Sequence, residues 1–559
     1  MRKRAFASVL VIAAMFIVTL LLLGLAGLAS NSLGRADKEN RALVSFQGAQ
    51  AALDYAISLA YQSAMLNDGA FQSHEYELTD ELQDIAPDCV ASATVSPASD
   101  ASYAWITSEV SYRGKTTSVR AYVSTKNVSI WNNAVFAGTG ASGRTINGNV
   151  DIRGSMHCLG DGEPYSDLNG NGKWDAAELF TDSNKNGVWD PGEAFSDTNG
   201  DGVWNSAEPY NDTNFNGMYD PPLTTTDLNS SFGGKAYVGN NYYGMPAELR
   251  SLIPPPPAPA GIEQLGTEVR VKHGMIGLSG TATIGTSDIL GGGAYKSTVD
   301  GTFVNDGWTG NQGASSVFSD NGTNHQYDLG HLNLAFPLIS GIGAPEYVDS
   351  GGTHWTNQRL FLDNRALTIP INTITANTPA FSYGPDAYGN RISFTPQVKV
   401  GGTIVTPATL NISGVVRVVG NLTLGSSKEM IRYIGSGTMF ATNDIDIHAS
   451  LLPKTGFTFP TTTRLGLIAQ RNMYLATGGG DAQLAMAGAF YAQGTIVSAK
   501  QNQILGTFVA NFYDMGTNVP NIYQVPALVN NMPPAMPGDK DYFTLRVRTW
   551  RERKVVGTE

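Results

Sequence analysis

Four acidic segments in the middle of the chain carry the residues with the clearest chemistry. They start at Asp167, Asp182, Asp197 and Asp212, a constant period of 15 residues, and we call them loops 1 to 4. In each loop, oxygen-bearing side chains recur at positions 1, 3, 5 and 9, and a glycine stands at position 6. Oxygens at this spacing suit a hard divalent cation, which takes about six to eight oxygen ligands. The spacing therefore predicts a calcium-binding array.

The predicted ligands are the side chains at positions 1, 3, 5, 9 and 12 and the backbone carbonyl at position 7. Loop 1 supplies Asp167, Asn169, Asn171, Lys173, Asp175 and Glu178, and loop 2 supplies Asp182, Asn184, Asn186, Val188, Asp190 and Glu193. Loop 3 supplies Asp197, Asn199, Asp201, Val203, Asn205 and Glu208, and loop 4 supplies Asp212, Asn214, Asn216, Met218 and Asp220. Leu223 replaces the twelfth-position glutamate of loop 4. Glu163 precedes loop 1 as Glu208 precedes loop 4, so we expect Glu163 to cap the array.

These loops resemble EF-hand calcium loops, but three residues between one loop and the next are too few for helices. The array is more similar to dockerin or thrombospondin type-3 repeats than to a calmodulin-like sensor. Recurring aromatic residues are expected to form a thin core. Residues 161–222 hold thirteen Asp or Glu against two Lys, a balance of −11, so we expect folding here to be coupled to metal binding. The alternative is an acidic, disordered insertion.

The N-terminal segment must position everything that follows. Arg2, Lys3 and Arg4 precede a run from Ala5 to Ala29 with no charged residue. As a helix this run is about 37 Å long, enough to cross a bilayer, and the basic residues predict a cytoplasmic N-terminus. Beyond Arg35, apolar residues recur every three or four positions, the pattern of an amphipathic helix. The sequence predicts one continuous helix over 6–66, membrane-spanning over 6–29.

This segment carries a second family resemblance. The junction Ala5-Phe6 resembles a prepilin peptidase site, and residues 45–53 (SFQGAQAAL) resemble the conserved turn of PilX-type minor pilins of type IV pilus systems. Counting from Phe6 puts Leu10 where major pilins carry Glu, as in PilX-like proteins and in the tip pseudopilin of type II secretion. The resemblance implies a minor or tip component that assembles with other pilin-like subunits. A plain signal anchor and a cleaved secretory signal are the alternatives.

The remainder of the chain is typical of exported, turn-rich β structure, with 63 Gly and 15% charged residues. Outside the array the chain is nearly neutral, so nucleic-acid binding has no electrostatic support. We predict a mostly β, α+β protein with a leader (1–5), the helix (6–66), a first β-rich part (67–160), the array (161–222), a Pro-rich connection (223–260) and a β body (261–559). Cys89 and Cys158 could form a disulfide, which sequence alone does not decide.

Two strand patterns make the β prediction specific. Residues 104–112 and 118–123 alternate around a turn near Gly114, which predicts a hairpin packed on the amphipathic half of the first helix. Short strands at 421–424, 444–447, 472–475 and 495–498 follow at intervals of 23, 28 and 23, which predicts the stacked turns of a parallel β-helix (solenoid). An antiparallel sandwich is the alternative.

No catalytic motif is apparent in the sequence. Asp444, Asp446 and His448 alternate along one strand and are interpreted as a solvated strand edge, so we expect no enzyme activity. The sequence predicts a calcium-stabilised, membrane-inserted pilin-like component of the bacterial envelope, in contact with the inner membrane, prepilin peptidase and an unknown surface ligand. The alternatives are an anchored surface adhesin outside any filament and, less favoured, a polysaccharide-degrading β-helix enzyme.

Overall fold

A computed structural model describes residues 2–83, 87–138, 150–213, 215–222, 236–273, 278, 282–287, 293–304, 316–320, 329, 334–515, 520–539 and 541–553. The chain forms two compact units. The first, which we call the sheet unit, comprises residues 1–127 and 541–559, and the second, the body, comprises 128–540. Elements are numbered in chain order.

Helix α1 (Arg2–Met65) is one uninterrupted α-helix of 64 residues, and its side chains are described from Ala14 onward. Its first half is exposed: the large apolar side chains from Met15 to Leu33 are between 54% and 71% accessible. Within the described residues, α1 is the one helix long and apolar enough to cross a membrane. The predicted continuous helix is confirmed, with bounds that differ by a few residues from 6–66.

The sheet unit contains one five-stranded antiparallel sheet in the order β1-β2-β3-β4-β30. Its strands are β1 (His74–Glu77), β2 (Cys89–Pro97), β3 (Tyr103–Tyr112), β4 (Lys115–Asn127) and β30 (Phe543–Arg553). Tyr112 pairs with Lys115, so β3 and β4 are joined by the two-residue turn Arg113-Gly114, with φ of 45° and 79°. A two-residue hairpin turn with both φ values positive matches the twist of its strands, and the predicted hairpin is confirmed.

The second half of α1 packs on one face of this sheet. Small side chains let the helix approach closely, and Ala49, Ala52 and Ala56 are fully buried together with Leu53. The facing strands contribute alternate residues such as Ile106, Val119, Ala121 and Val123. Ser108 Oγ donates to the Ala49 carbonyl at 2.6 Å, which ties β3 directly to the helix backbone. The predicted packing of a hairpin on the amphipathic half of the helix is confirmed.

The last strand corrects two predicted boundaries. We expected residues 261–559 to form one β body, but β30 pairs with β4 along most of its length and belongs to the sheet unit. We also expected a first β-rich part over 67–160, whereas the first segment of the sheet unit ends at Asn127 and the body starts at Val128. The body is therefore inserted between two neighbouring strands of the sheet. Pairing over more than four hundred residues of sequence leaves no local signal in β30.

In its described residues the body consists of strands of 2 to 14 residues and two short α-helices, α2 (Ala247–Arg250) and α3 (Gln358–Arg365). The strands are β5 (Val135–Ala137), β6 (Asp151–Arg153), β7 (Met156–Cys158), β8 (Tyr237–Gly239), β9 (Glu268–Val271), β10 (Thr283–Ile284), β11 (Gly301–Val304), β12 (Tyr347–Val348), β13 (His354–Trp355), β14 (Leu367–Ile369), β15 (Thr373–Ile374), β16 (Phe381–Tyr383), β17 (Arg391–Thr395), β18 (Val398–Val400), β19 (Thr403–Thr406), β20 (Ala408–Val418), β21 (Leu422–Leu424), β22 (Met430–Ala441), β23 (Ile445–Ile447), β24 (Ser450–Pro453), β25 (Arg464–Ala469), β26 (Met473–Leu475), β27 (Ala485–Ser498), β28 (Gln503–Asp514) and β29 (Asn521–Tyr523).

Most pairs in the body are parallel. One run of parallel pairs joins β20, β22, β25, β27, β28, β5, β7, β9 and β11 in that order. A second run joins β21, β23, β26 and β27 in the register Leu422, Ile445, Met473 and Ile496. These four partners are 23, 28 and 23 residues apart, as the sequence intervals predicted.

Three hairpin-like pairs are antiparallel, β16 with β17, β12 with β13, and β18 with β19, and β17 also pairs antiparallel with β20. Both cysteines are free thiols, Cys89 in the sheet unit and Cys158 in the body. Burial raises the pKa of the Cys158 thiol to about 12. Of the predicted connection at 223–260, residues 223–235 lie outside the described part of the chain.

Candidate metal centre

The acidic array is an insertion between β7 and β8 of the body. The segments that enter and leave the array lie against each other at Gly162 and Pro222. Gly162 has a φ of +78°, and a Cβ added there would lie 2.5 Å from the Pro222 nitrogen. Beside this point, Asp161 accepts from Lys272 Nζ at 2.8 Å and lies 3.2 Å from His273 Nε2. Burial raises the pKa of Asp161, but the bonds to His273 and Lys272 outweigh it and leave that pKa below its usual value. The array is thus fixed at its base.

The first aspartate of each loop closes a turn around the position-6 glycine. The glycine N–H donates to Oδ2 of that aspartate at 2.8 Å in loops 1, 2 and 4 and at 2.9 Å in loop 3. The four glycines have φ between 74° and 79°, the left-handed region that other residues rarely adopt. The Gly172 N–H is the main reason that the pKa of Asp167 lies below its usual value. The glycine at position 6 is therefore required by the backbone geometry of the turn.

The side chains at positions 3, 5 and 9 converge on one point in loops 1 to 3, and those at positions 5 and 9 meet in loop 4. In loop 1, the Asn169 and Asn171 amides both donate to Asp175 Oδ2 at 2.7 Å. Loop 2 repeats this arrangement around Asp190 at 2.6 and 2.8 Å. Loop 3 has the carboxylate at position 5 and the amide at position 9, so Asn205 donates to Asp201 Oδ2 at 3.1 Å. In loop 4, Asn216 donates to Asp220 Oδ2 at 3.1 Å, while Asn214 lies outside the described residues.

The residue at position 7 of each loop contributes through its backbone and not through its side chain. Its N–H donates to the position-5 side-chain oxygen at 2.7 or 2.8 Å in all four loops. The side chains of Val188, Val203 and Met218 are at least 60% exposed, so they take no part in the loop interior. In loop 3, the Val203 carbonyl accepts from the Asn205 amide at 2.9 Å and so lies beside the position-9 side chain. A backbone-only role at position 7 is consistent with this geometry.

The glutamates complete the loops in an order that differs from the sequence prediction. Each one accepts through one carboxylate oxygen from the position-2 N–H and through the other from the position-9 N–H. Glu208 bonds in this way to loop 1, at 2.7 and 3.2 Å, and Glu178 bonds to loop 3, at 2.7 and 3.1 Å. Loops 1 and 3 therefore receive each other's predicted glutamate. Loop 2 keeps Glu193, at 2.7 and 3.0 Å.

Glu163 completes loop 4, which has no glutamate at position 12. Its carboxylate accepts from the Thr213 N–H at 2.6 Å and from the Asp220 N–H at 3.1 Å, the bonds that the other three glutamates make in their loops. Burial is the main reason that the pKa of Glu163 lies above its usual value. The structural repeat unit therefore begins with a glutamate and continues through the loop that follows it. Four such units run from Glu163 to Asp220.

An aromatic core holds the loops in two pairs. Trp174 of loop 1 stacks on Tyr219 of loop 4 with ring centroids 4.6 Å apart, and Trp189 of loop 2 stacks on Trp204 of loop 3 at 5.3 Å. Backbone bridges follow the same pairing, Tyr165 with Tyr210 and Phe180 with Phe195. The predicted thin aromatic core is present.

The donor set fits a hard cation. Every side chain that converges in the loops offers oxygen, and none offers sulfur or imidazole. Glu163, Glu178 and Glu208 are only 2–4% exposed, and none of them pairs with Lys or Arg in the described part of the chain. A buried carboxylate without a counter-charge is costly, and a bound cation would remove that cost. Among the described residues, no group of three or more His, Cys, Asp or Glu side chains is arranged to hold a metal ion.

Among Asp444, Asp446 and His448, the histidine pairs with a residue that the sequence pattern did not indicate. His448 Nδ1 lies 2.7 Å from Asp481 Oδ2, and the Asp481 side chain is only 6% exposed. Burial raises the pKa of Asp446, with the charges of His448 and Asp444 acting in opposite directions. Asp481 lies in the glycine-rich turn 478–481, so the pair fixes that turn to β23. A structural contact accounts for the position of His448.

No known protein family and no curated protein matches the sequence. A crystal structure of the competence-associated pilin ComZ from Thermus thermophilus superimposes with a TM-score of 0.46 and 17% identity, covering 91% of this chain and 97% of that chain.

Proposed function

We propose that this chain is a pilin-like structural component of a type IV pilus or a related secretion filament, inserted in the inner membrane by α1. One observation carries the proposal: a single helix is bare and apolar along its first half and forms the core of an antiparallel sheet along its second half. A bare apolar stretch of this length is stable only in lipid or against other apolar helices. A filament provides the second environment after the membrane has provided the first.

The sequence near the N-terminus supports processing. Prepilin peptidase cleavage between Ala5 and Phe6 would leave a helix that begins with an apolar run. Leu10 at the fifth mature position supports a minor or tip subunit, because it lacks the carboxylate that bulk subunits use in assembly. With the N-terminus cytoplasmic, the sheet unit and the body lie outside the inner membrane.

The topology supports a carrier role for the sheet unit. The body starts after β4 and ends before β30, and these two strands are neighbours in the sheet. We interpret the body as a β-solenoid, supported by the parallel pairs in the register of Leu422, Ile445, Met473 and Ile496. A stacked body of this kind would present a large surface beyond the envelope, suited to adhesion to a surface ligand.

Loops 1 to 4 would hold calcium through the first, third, fifth and ninth positions, the position-7 carbonyl and one glutamate each. Calcium would supply the positive charge that the buried glutamates lack. A site saturated at about 100 times its Kd stabilises the folded state by about 2.7 kcal/mol. Differential scanning calorimetry of the full chain in detergent should show a lower melting temperature in EDTA, restored by excess calcium. Identical melting profiles in EDTA and in calcium would contradict calcium binding.

Mass spectrometry of the mature N-terminus tests the pilin proposal. The chain should begin at Phe6 in cells that contain prepilin peptidase and at Met1 in cells that lack it. An intact Met1 in both strains would contradict processing and would favour the alternative, an anchored surface adhesin outside any filament.

A further inference from the structure

We propose that Glu163 is a calcium ligand of loop 4 and that the array binds calcium as two coupled pairs, an outer pair of loops 1 and 4 and an inner pair of loops 2 and 3. This inference depends on the proposed calcium binding. It concerns which residues complete each site and which sites fill together, and neither follows from the 15-residue spacing.

Reciprocal exchange of glutamates defines the pairs. The repeat unit that begins at Glu163 contains loop 1, and the unit that begins at Glu208 contains loop 4. Glu163 bonds to loop 4 and Glu208 bonds to loop 1, so each unit completes the other's loop. The units that begin at Glu178 and Glu193 contain loops 2 and 3 and exchange in the same way. Each pair therefore has two sites that share both chain segments.

The exchanged glutamates give the two sites of a pair a direct mechanical connection. In the outer pair, Glu208 and the first aspartate of loop 4, Asp212, lie on one short segment, with Tyr210 between them bridged to Tyr165. Calcium in loop 1 would hold Glu208 and so fix the start of loop 4. The stacked rings of Trp174 and Tyr219 lie between the same two loops. Ordering one site therefore lowers the cost of ordering the other, which is positive coupling.

The outer pair also closes the base of the insertion. Glu163 stands directly after Gly162, and Asp220 stands directly before the two prolines that contact Gly162. The Glu163 N–H donates to the Asp220 carbonyl at 2.9 Å, and its carboxylate accepts from the Asp220 N–H. Calcium in loop 4 would therefore clamp the incoming and outgoing chains together. None of these closing contacts involves a residue of the inner pair.

Counting bound calcium in single variants of the full chain tests the pairing. Native mass spectrometry and isothermal titration in detergent should find four ions in the parent protein. Glu163→Gln should weaken two of the four sites about tenfold or more, the outer pair, although Glu163 lies outside every predicted loop. Glu193→Gln should weaken the two sites of the inner pair and leave the outer pair unchanged. Glu248→Gln, at a largely exposed side chain outside the array, is the matched charge control and should change none.

The outcomes separate the two proposals. A parent protein that binds no calcium would contradict the proposed calcium function itself. A parent protein that binds four ions, with Glu163→Gln binding four at unchanged affinity, would overturn the role of Glu163. Weakening of a single site in both variants would overturn the coupling. Circular dichroism of each variant in excess calcium checks folding, and the reciprocal result from Glu193→Gln does not require that the Glu163 variant folds.

Discussion

Replacing Leu53 with alanine should destabilise the sheet unit more than truncating any other apolar side chain of α1. Leu53 is fully buried between the helix and the sheet, and its helix neighbours Ala49, Ala52 and Ala56 carry no side chain that could move to fill the space. The substitution removes three buried carbon groups, and at about 0.8 kcal/mol each the lost transfer free energy is about 2.4 kcal/mol. The unfilled cavity raises the expected loss to about 3–4 kcal/mol.

Hydrogen exchange followed by mass spectrometry measures this loss locally, which a two-unit chain requires. A loss of about 3 kcal/mol should speed exchange of the β3 and β4 amides by about 100-fold. Exchange in β22 of the body should not change. Leu43→Ala is the matched control, because the same substitution falls on the same helix at a side chain that is 53% exposed. It should change exchange by less than about fivefold.

Two results would refute the reasoning. Equal effects of Leu53→Ala and Leu43→Ala would show that the second half of α1 is not the core of the sheet. Equal acceleration in β22 and β4 would show that the two units do not unfold separately.

Three further predictions concern single residues. Gly114→Ala should lower the free energy of unfolding by urea by about 1 kcal/mol, because the φ of Gly114 is +79° and an added Cβ would meet no atom within 4 Å, so only the backbone is strained. An unchanged urea midpoint would contradict a strained backbone at this turn. Cys158 is half-buried and burial raises its pKa to about 12, so little of the thiol is thiolate at pH 8 and it should react more slowly with a disulfide reagent in the native protein than after unfolding; equal labelling rates would contradict the raised pKa. Burial, with the charges of Arg270 and Lys272, lowers the pKa of His157, so the unfolded state binds the extra proton. Body stability should then fall by up to about 1.4 kcal/mol per pH unit below about pH 6.5, and His157→Phe should lose that slope; an unaltered slope in the variant would exclude His157 as its source.

Local patterns in the sequence predicted the elements of this chain well. Gly114 indicated the turn, because glycine readily adopts the positive φ that a two-residue hairpin turn requires. The apolar spacing of α1 predicted the helix and its amphipathic second half, although Leu43 of the predicted apolar face is exposed. The intervals between the strands at Leu422, Ile445 and Met473 predicted that these residues pair in parallel strands.

Partners distant in sequence could not be predicted. A 15-residue repeat looks the same whether Glu178 completes the loop before it or the loop two units later, so the exchange of Glu178 and Glu208 left no trace in the spacing. Only the missing glutamate of loop 4, together with Glu163 before loop 1, indicated that the repeat begins with Glu. The return of β30 to β4 was equally hidden, since a strand pattern does not specify which sheet it joins.

Recovery of this chain in purified filaments tests the central claim most directly. Filaments sheared from cells that express the full chain should contain it in a form that begins at Phe6, and this form should disappear from the filament fraction when prepilin peptidase is deleted. Full-length chain found solely in the membrane fraction, with or without the peptidase, would contradict a pilin-like role.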